Sequence, residues 1–191
     1  MPDLSSLPTD KQTLRRVMAA TRAEACAQNP DAPKALCDNV LKHIPLSSGS
    51  IVAGYSAQKG EMDVGPLMAA LAARGHAMAL PVMVARDVGL EFRFYKSGDA
   101  LLPGMMEIPE PPATAPQVEP DVILVPLLAF DRRYNRLGTG GGYYDRTLAA
   151  LRQKRPLLAL GIGFACQEVH ALPAEKHDIR LDRIATEIEV F

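Results

Sequence analysis

The chain has 191 residues, 48% of them apolar and 23% charged, so it is long enough to bury a full core and is ordinary in globular usage. A net charge of −1 with a pI near 6.4 argues against a general nucleic-acid binder. The longest apolar run, VILVPLLAF at 122–130, is nine residues long and contains Pro126, which is too short and too broken to span a bilayer.

The opening MPDLSSLPTDKQ lacks the charged-then-apolar pattern of a signal peptide, so a cytosolic protein is expected. Thr9-Asp10-Lys11-Gln12 has the form of a capping box. Leu14, Val17, Met18, Thr21 and Ala25 follow at helical spacing and predict a helix from residue 10 to residue 28. Lys11, Arg15 and Arg22 fall within one arc of that helix and give it a basic edge, which read alone is the solvated face of an amphipathic helix. KALCDNVLKHI (34–44) predicts a second helix ending before Pro45, and SIVAGYSA (50–57) a buried strand. PLMAALAARG (66–75) predicts a helix stopped by Gly75, HAMALPVM (76–83) a strand, and LEFRFYKSG (90–98) a half-exposed strand. Six prolines between 103 and 120 mark that stretch as a connecting loop. DVILVPLLAF (121–130) reads as a strand, YYDRTLAALRQ (143–153) as a helix, and LLALGIGF (157–164) and IATEIEVF (184–191) as two late strands.

Strands thus alternate with helices through most of the chain. The expectation is a single α/β domain over residues 1–191, a three-layer sandwich with a largely parallel sheet and helices on both faces. In such a sheet ligands sit beyond the carboxyl ends of the strands. That rule gathers Tyr55 to Glu61, the RLGTGGGYYD block and GFACQE (163–168) at one end of the molecule.

RLGTGGGYYDR (136–146) places four glycines in five positions between a strand and a helix. Backbone N–H groups and a helix N-terminus arranged this way suit an anion, with phosphate the first candidate. A tight turn that lets the helix pack on the sheet is the alternative. Tyr143 follows Gly142 where a P-loop needs Lys-Ser or Lys-Thr, and neither Gly138-Thr139-Gly140-Gly141-Gly142-Tyr143 nor GIGFAC (161–166) completes G-x-G-x-x-G. Cys26, Cys37 and Cys166 show no C-x-x-C spacing and read as reduced thiols. His43, His76, His170 and His177 show no zinc spacing, and no serine sits in G-x-S-x-G.

Together, several ordered blocks resemble the 5-formyltetrahydrofolate cyclo-ligase (5,10-methenyltetrahydrofolate synthetase) family. They are K-x-x-x-R at Lys11 and Arg15, YSAQ-x-x-E from Tyr55 to Glu61, LPGMMEIPEP from 102, VPLLAFD then RLGTGGGYYDR, and GIGFACQ with LPAEKHDIRLD. The resemblance runs from residue 11 to residue 187, and the glycine-tyrosine-aspartate block is its most specific part.

The resemblance implies ATP-driven ring closure of 5-formyltetrahydrofolate to 5,10-methenyltetrahydrofolate, with ATP and Mg2+ required and with no membrane or nucleic-acid partner. A monomer acting on small molecules is expected. By resemblance, Lys11, Arg15 and the loop Arg136, Leu137, Gly138, Thr139, Gly140, Gly141 and Gly142 contact the nucleotide, with Tyr143 and Tyr144 bordering it. Arg136 is the catalytic residue by the same token, stabilising charge on the transferred phosphoryl group. Tyr55, Glu61 and Tyr143 meet the folate, the Glu61 carboxylate suiting the paired N–H donors of a pterin ring. Asp145 and, in the His177-Asp178 block, Asp178 match the magnesium ligands, with Asp182 a competitor for the second place. Asp145 is equally explained as an acid favoured at a helix N-terminus.

The chain departs from the family pattern where glycine is usual. Tyr134 stands two residues before the loop arginine, and Glu107 opens what is usually G-I-x-E-P. Glu107 adds a charge near a region that often lines the folate side. It favours a second reading, an ATP-dependent enzyme of the same fold acting on another formamide. A non-catalytic nucleotide- or folate-binding module is the third.

Overall fold

The computed structural model describes residues 10–58, 60–173, 175 and 178–191. Helix α1 runs from Lys11 to Gln28, and its cap is Asp10, whose carboxylate accepts the Thr13 N–H at 2.8 Å. Asp10 therefore takes the place expected of Thr9, which lies outside the described residues. Helix α2, Ala32–His43, begins earlier than its apolar pattern suggests because Pro33 fits a first turn, where no N–H is needed. Helix α3 is Gly65–Ala73.

The strands in chain order are β1 (Ile51–Ala53), β2 (Ala77–Val82), β3 (Glu91–Phe94), β4 (Leu102–Pro103), β5 (Pro109–Glu110), β6 (Gln117–Val118), β7 (Val122–Pro126), β8 (Ala129–Phe130), β9 (Arg136–Leu137), β10 (Leu158–Ile162) and β11 (Arg183–Ala185), with helix α4 (Tyr143–Arg152) between β9 and β10. Seven form one sheet in the order β11-β10-β7-β1-β2-β3-β6. Strands β11 through β2 in that order are parallel, and β3 and β6 close the edge antiparallel.

Side chains alternate across this sheet as the period of two demands. Val52, Met78, Leu80, Leu124, Leu160 and Ile162 pack with α2, α3 and the C-terminal half of α1. Ala53, Ala79, Ile123, Val125 and Ala159 face the other way and pack with Leu148 and Leu151 of α4. The three layers expected from the alternation are therefore present, with α1, α2 and α3 on one face and α4 on the other.

The N-terminal half of α1 has a separate task. Leu14 and Met18 are buried against Leu128, Ala129 and Leu137, in and beside the β8–β9 hairpin. Each such side chain contributes roughly 1.5–3 kcal/mol of burial. This seam fixes Lys11 and Arg15 beside the glycine loop that follows β9.

Three local expectations are corrected. DVILVPLLAF is two elements, because Pro126 has no N–H to extend the ladder and the Gln167 side-chain amide donates to the carbonyls of Leu127 and Leu128, at 2.8 and 2.9 Å. The glycine loop consequently follows the β8–β9 hairpin and not β7 directly. Residues 103–120 are not merely a connection, since β4 pairs with β5 and β6 joins the main sheet. IATEIEVF is not one strand: β11 ends at Ala185, and the chain turns back so that Val190 bridges it antiparallel.

Candidate active site

A cavity of about 880 Å³ opens beyond the carboxyl ends of β1, β2 and β7. Lys11, Arg15, Tyr55, Glu61, Arg136, Leu137, Gly138, Thr139, Gly140, Gly141, Gly142, Tyr143, Tyr144, Asp145 and Asp178 all line it. The residues assigned to nucleotide, folate and metal by resemblance are thus brought to one place. The GFACQE block is not: Phe164 and Gln167 are buried, and Gln167 serves the carbonyls at the end of β7.

The glycine loop forms one wall. Gly140 and Gly142 have φ of 107° and 66°, the left-handed region that glycine adopts without penalty. Arg15 Nε donates to the Gly138 carbonyl at 3.0 Å, and Arg146 Nη2 donates to the Gly141 carbonyl at 2.6 Å. These bonds hold the loop by its oxygens. Among the described residues, no backbone N–H from Gly138 through Gly142 donates a hydrogen bond. Five backbone donors in sequence, with no acceptor among the described residues, therefore lie together with Lys11, Arg15 and the N-terminus of α4 on one wall of the cavity.

Arg136 lies at the base of this wall with its side chain 5% exposed, and Nη2 is 2.8 Å from Asp145 Oδ2. That pair is close without good hydrogen-bond geometry, since Nε and Nη2 both lack a hydrogen-bond partner. A buried guanidinium with unused donors is ready to receive an anion. Asp145 Oδ1 accepts the N–H of Ile179 at 3.0 Å, which brings the residue after Asp178 against the first turn of α4. Asp178 Oδ2 accepts from Lys11 Nζ at 2.8 Å and from the Glu175 N–H at 2.7 Å. Asp182 lies away from the cavity, bonded to Arg152 Nη2 and the Ala159 N–H, both at 2.7 Å. Asp178 is therefore the carboxylate of its block that faces the site.

The opposite wall is more buried. Glu61 accepts from Arg22 Nη1 at 3.1 Å through Oε1 and from the Gln58 N–H at 2.9 Å through Oε2. The Tyr55 hydroxyl donates to the Met62 carbonyl at 2.7 Å, so its ring and not its hydroxyl is offered to the cavity. Burial, and next the Glu61 carboxylate, push the phenols of both Tyr55 and Tyr144 well up. Both rings stay neutral beside Glu61 at physiological pH. The β4–β5 turn covers this side, tied down by the Ser56 hydroxyl donating to the Pro109 carbonyl at 2.6 Å.

Both departures from the resembled pattern keep the backbone that glycine would have taken. Tyr134 has φ of 66°, and Met106 and Glu107 have φ of 61° and 59°. Tyr134 is held by its N–H to the Asp131 carbonyl at 3.0 Å and by its ring against Phe191. Glu107 is exposed and does not line the cavity, whereas Met106 beside it does.

Residues unassigned in the sequence also enter the site. Arg22 signals itself in the sequence only as part of the basic edge of α1. Met106, Ile108, Glu110, Met83 and Leu90 come from loops and strand ends with no periodic signal.

Fold and site together define an α/β enzyme with its main cavity at the carboxyl end of its sheet, where ligands of such folds bind. The sequence profile of the 5-formyltetrahydrofolate cyclo-ligase family matches residues 8–187. The 5-formyltetrahydrofolate cyclo-ligase of Escherichia coli (strain K12) is 32% identical over 175 residues, covering 89% of this chain and 96% of that protein. The Haemophilus influenzae protein of the same name is 30% identical over 177 residues, covering 90% and 94%. Among solved structures, the NMR structure of Aquifex aeolicus 5,10-methenyltetrahydrofolate synthetase superposes with a TM-score of 0.77 at 29% identity, covering 94% of this chain and 91% of that one. The chain belongs to the 5-formyltetrahydrofolate cyclo-ligase family and is a ligase of folate metabolism.

Proposed function

We propose that the chain converts 5-formyltetrahydrofolate and ATP to 5,10-methenyltetrahydrofolate, ADP and phosphate. The observation that carries this reading is one cavity with two unlike walls: unsatisfied N–H donors with Lys11, Arg15 and Arg136 on one side, and a half-buried carboxylate, paired with Arg22, beside neutral tyrosines on the other.

The chemistry needs no protein nucleophile. A formamide oxygen leaves poorly, so the γ-phosphoryl group is transferred to the formyl oxygen, N10 attacks the formyl carbon and gives up its proton to the departing phosphate or to water, and the C–O bond breaks to release phosphate. Positioning and charge compensation are what the protein supplies. Gly138 to Gly142 cradle the phosphates, Lys11 and Arg15 neutralise the polyphosphate, and Arg136 meets the charge on the group in transfer. Glu61 accepts the pterin N–H groups while Tyr55 and Tyr143 border the ring. Among the described residues there is no cluster of three His, Cys, Asp or Glu side chains suited to a metal. Asp145 and Asp178 are two hard oxygen donors facing one cavity, and this suits a magnesium ion that takes its remaining ligands from phosphate and water. The ion would neutralise phosphate charge.

The test is the appearance of 5,10-methenyltetrahydrofolate absorbance when purified protein meets 5-formyltetrahydrofolate and Mg-ATP, beside a control without ATP. ATP-dependent growth of the signal supports the reading. A flat trace from protein that binds ATP overturns it in favour of another formamide or a binding module. The exposed side chain of Glu107 supplies no contact that would favour another substrate.

A further inference from the structure

Arg22 is out of place for an arginine. It occupies the buried face of α1 with Leu14, Met18 and Ala25 and is 9% exposed. A guanidinium carries five N–H donors. Within the described residues it makes one hydrogen bond, from Nη1 to Glu61 Oε1, and its buried Nε has no partner. Burying a charge with unused donors is costly unless another acceptor arrives. Arg22 lines the cavity beside Glu61, where a bound ligand can bring an acceptor to the guanidinium.

The two groups form a fixed pattern. Glu61 is an acceptor only, and with about four lone-pair sites on its two oxygens it retains room beyond Arg22 and the Gln58 N–H. Arg22 is a donor only. Side by side they complement a heterocycle edge that presents two N–H donors and then a carbonyl oxygen. A 4-oxo pteridine has that edge: the 2-amino group and N3–H donate, and O4 accepts. A 4-amino pteridine places a donor where O4 would be and meets the guanidinium with the wrong sign.

We propose that Arg22 is a specificity-determining residue that donates a hydrogen bond to the O4 carbonyl of the substrate ring, so that Arg22 and Glu61 together select 4-oxo over 4-amino pteridines. This rests on the folate reading of the cavity. Arg22 touches no reacting atom, so its effect falls on binding of the pteridine and not on ATP.

The experiment measures KM for 5-formyltetrahydrofolate, the inhibition constant of its 4-amino-4-deoxy counterpart and KM for ATP in the wild type and in Arg22→Met. One charge-assisted hydrogen bond corresponds to a loss of about ten- to a hundredfold. KM for the 4-oxo substrate should rise by that factor, while the 4-amino compound binds as well as before or better and ATP is unaffected. Equal weakening of both pteridines would show that Arg22 only holds Glu61 in place, and would overturn the inference while leaving the folate reading intact. A wild type that binds neither pteridine removes the folate reading and this inference with it. Arg22→Met leaves Glu61 without its cation, so Glu61→Gln is compared with Glu61→Gln/Arg22→Met, where no unpaired carboxylate remains. The same ratio of 4-oxo to 4-amino affinity must shift between those two, and an unchanged ratio overturns the proposal.

Discussion

Two turns on the rim of the cavity use left-handed backbone, and they are built from opposite residue types. The loop before α4 places it at Gly140 and Gly142, while the β4–β5 turn places it at Met106 and Glu107. Neighbouring guanidinium groups are part of the difference. A Cβ at Gly142 would lie 2.7 Å from Arg146 Nη1 and would make that side chain move, while one at Gly140 would make only an ordinary contact, 3.4 Å from Arg15 Cζ. Glycine at Gly142 lets backbone N–H groups and a guanidinium share the wall without that shift. Met106 and Glu107 are both exposed, so side chains fit and only the backbone penalty of about 1–2 kcal/mol per residue remains. The first loop has been built for close approach, and the second tolerates strain because its side chains are not crowded.

The sharpest way to break this comparison is to remove the charge the glycine wall surrounds. Arg136→Ala should lower kcat by roughly 10³-fold, the scale of an arginine that stabilises transferred phosphoryl charge. On the proposed function ATP affinity rests on the backbone donors with Lys11 and Arg15, so it should change far less. Single-turnover rates and equilibrium ATP binding on the same variant separate the two, and a variant with wild-type kcat would leave the glycine wall as a binding surface alone.

The glycine loop follows the β8–β9 hairpin, and the turn of that hairpin is held from behind. Asp131, fully buried, accepts from the N–H groups of Arg133, Asn135 and Leu172 and from the Asn135 side chain, and so ties the β8–β9 turn to the chain leading toward Asp178. Burial alone would push this carboxyl up, but the hydrogen bonds, led by the Asn135 side chain, outweigh it and hold the carboxyl below its usual value. A carboxyl lowered by folding stabilises the protein above its unfolded pKa of about 3.9, and that contribution is lost as pH falls through the lower folded value. Asp131→Asn should cost about 1–3 kcal/mol at neutral pH. It should also flatten the decline in stability below about pH 4. Urea unfolding of both proteins at pH 7 and at acid pH measures this, and parallel acid profiles would show that Asp131 carries none of the pH dependence.

Gly142→Ala tests the crowding argument itself. The positive φ costs about 1–2 kcal/mol, and the new methyl displaces Arg146 from its position beside the loop. Thermal unfolding should fall by a few degrees and KM for ATP should rise, with the folate KM unchanged. A substitution that lowers stability alone would mean that Arg146 does not shape the loop as the proposed phosphate site.

Periodicity and motif order made the layers and the cavity lining readable, because apolar alternation and strand-to-helix order are local signals. Glu61 and Asp145 could be assigned by resemblance, but Arg22 could not be paired with Glu61, since that contact joins positions 39 apart and depends on how α1 crosses the sheet. The break in DVILVPLLAF was hidden for the same reason: the Gln167 amide that holds the carbonyls of Leu127 and Leu128 comes from some 40 residues later. The β4–β5 turn was read as plain loop because its two-residue strands are too short for any period to show.

Glu107→Gly gives the smallest effect and bears most directly on the strained turn. Glycine relieves the left-handed penalty but gives the unfolded chain more freedom to lose, so the two terms partly cancel. A net gain of about 1 kcal/mol corresponds to a rise in Tm of roughly 2–4 °C for a chain of this size. The exposed Glu107 carboxylate makes no hydrogen bond with a described residue, so the gain is not offset by lost contacts. If the folate KM stays constant while Tm rises, the strain at Glu107 is incidental to the site. If KM rises with Tm, the strained turn is what keeps Met106 at the cavity, and the glycine loop and the Met-Glu turn are two solutions to the same problem of presenting a wall to a ligand.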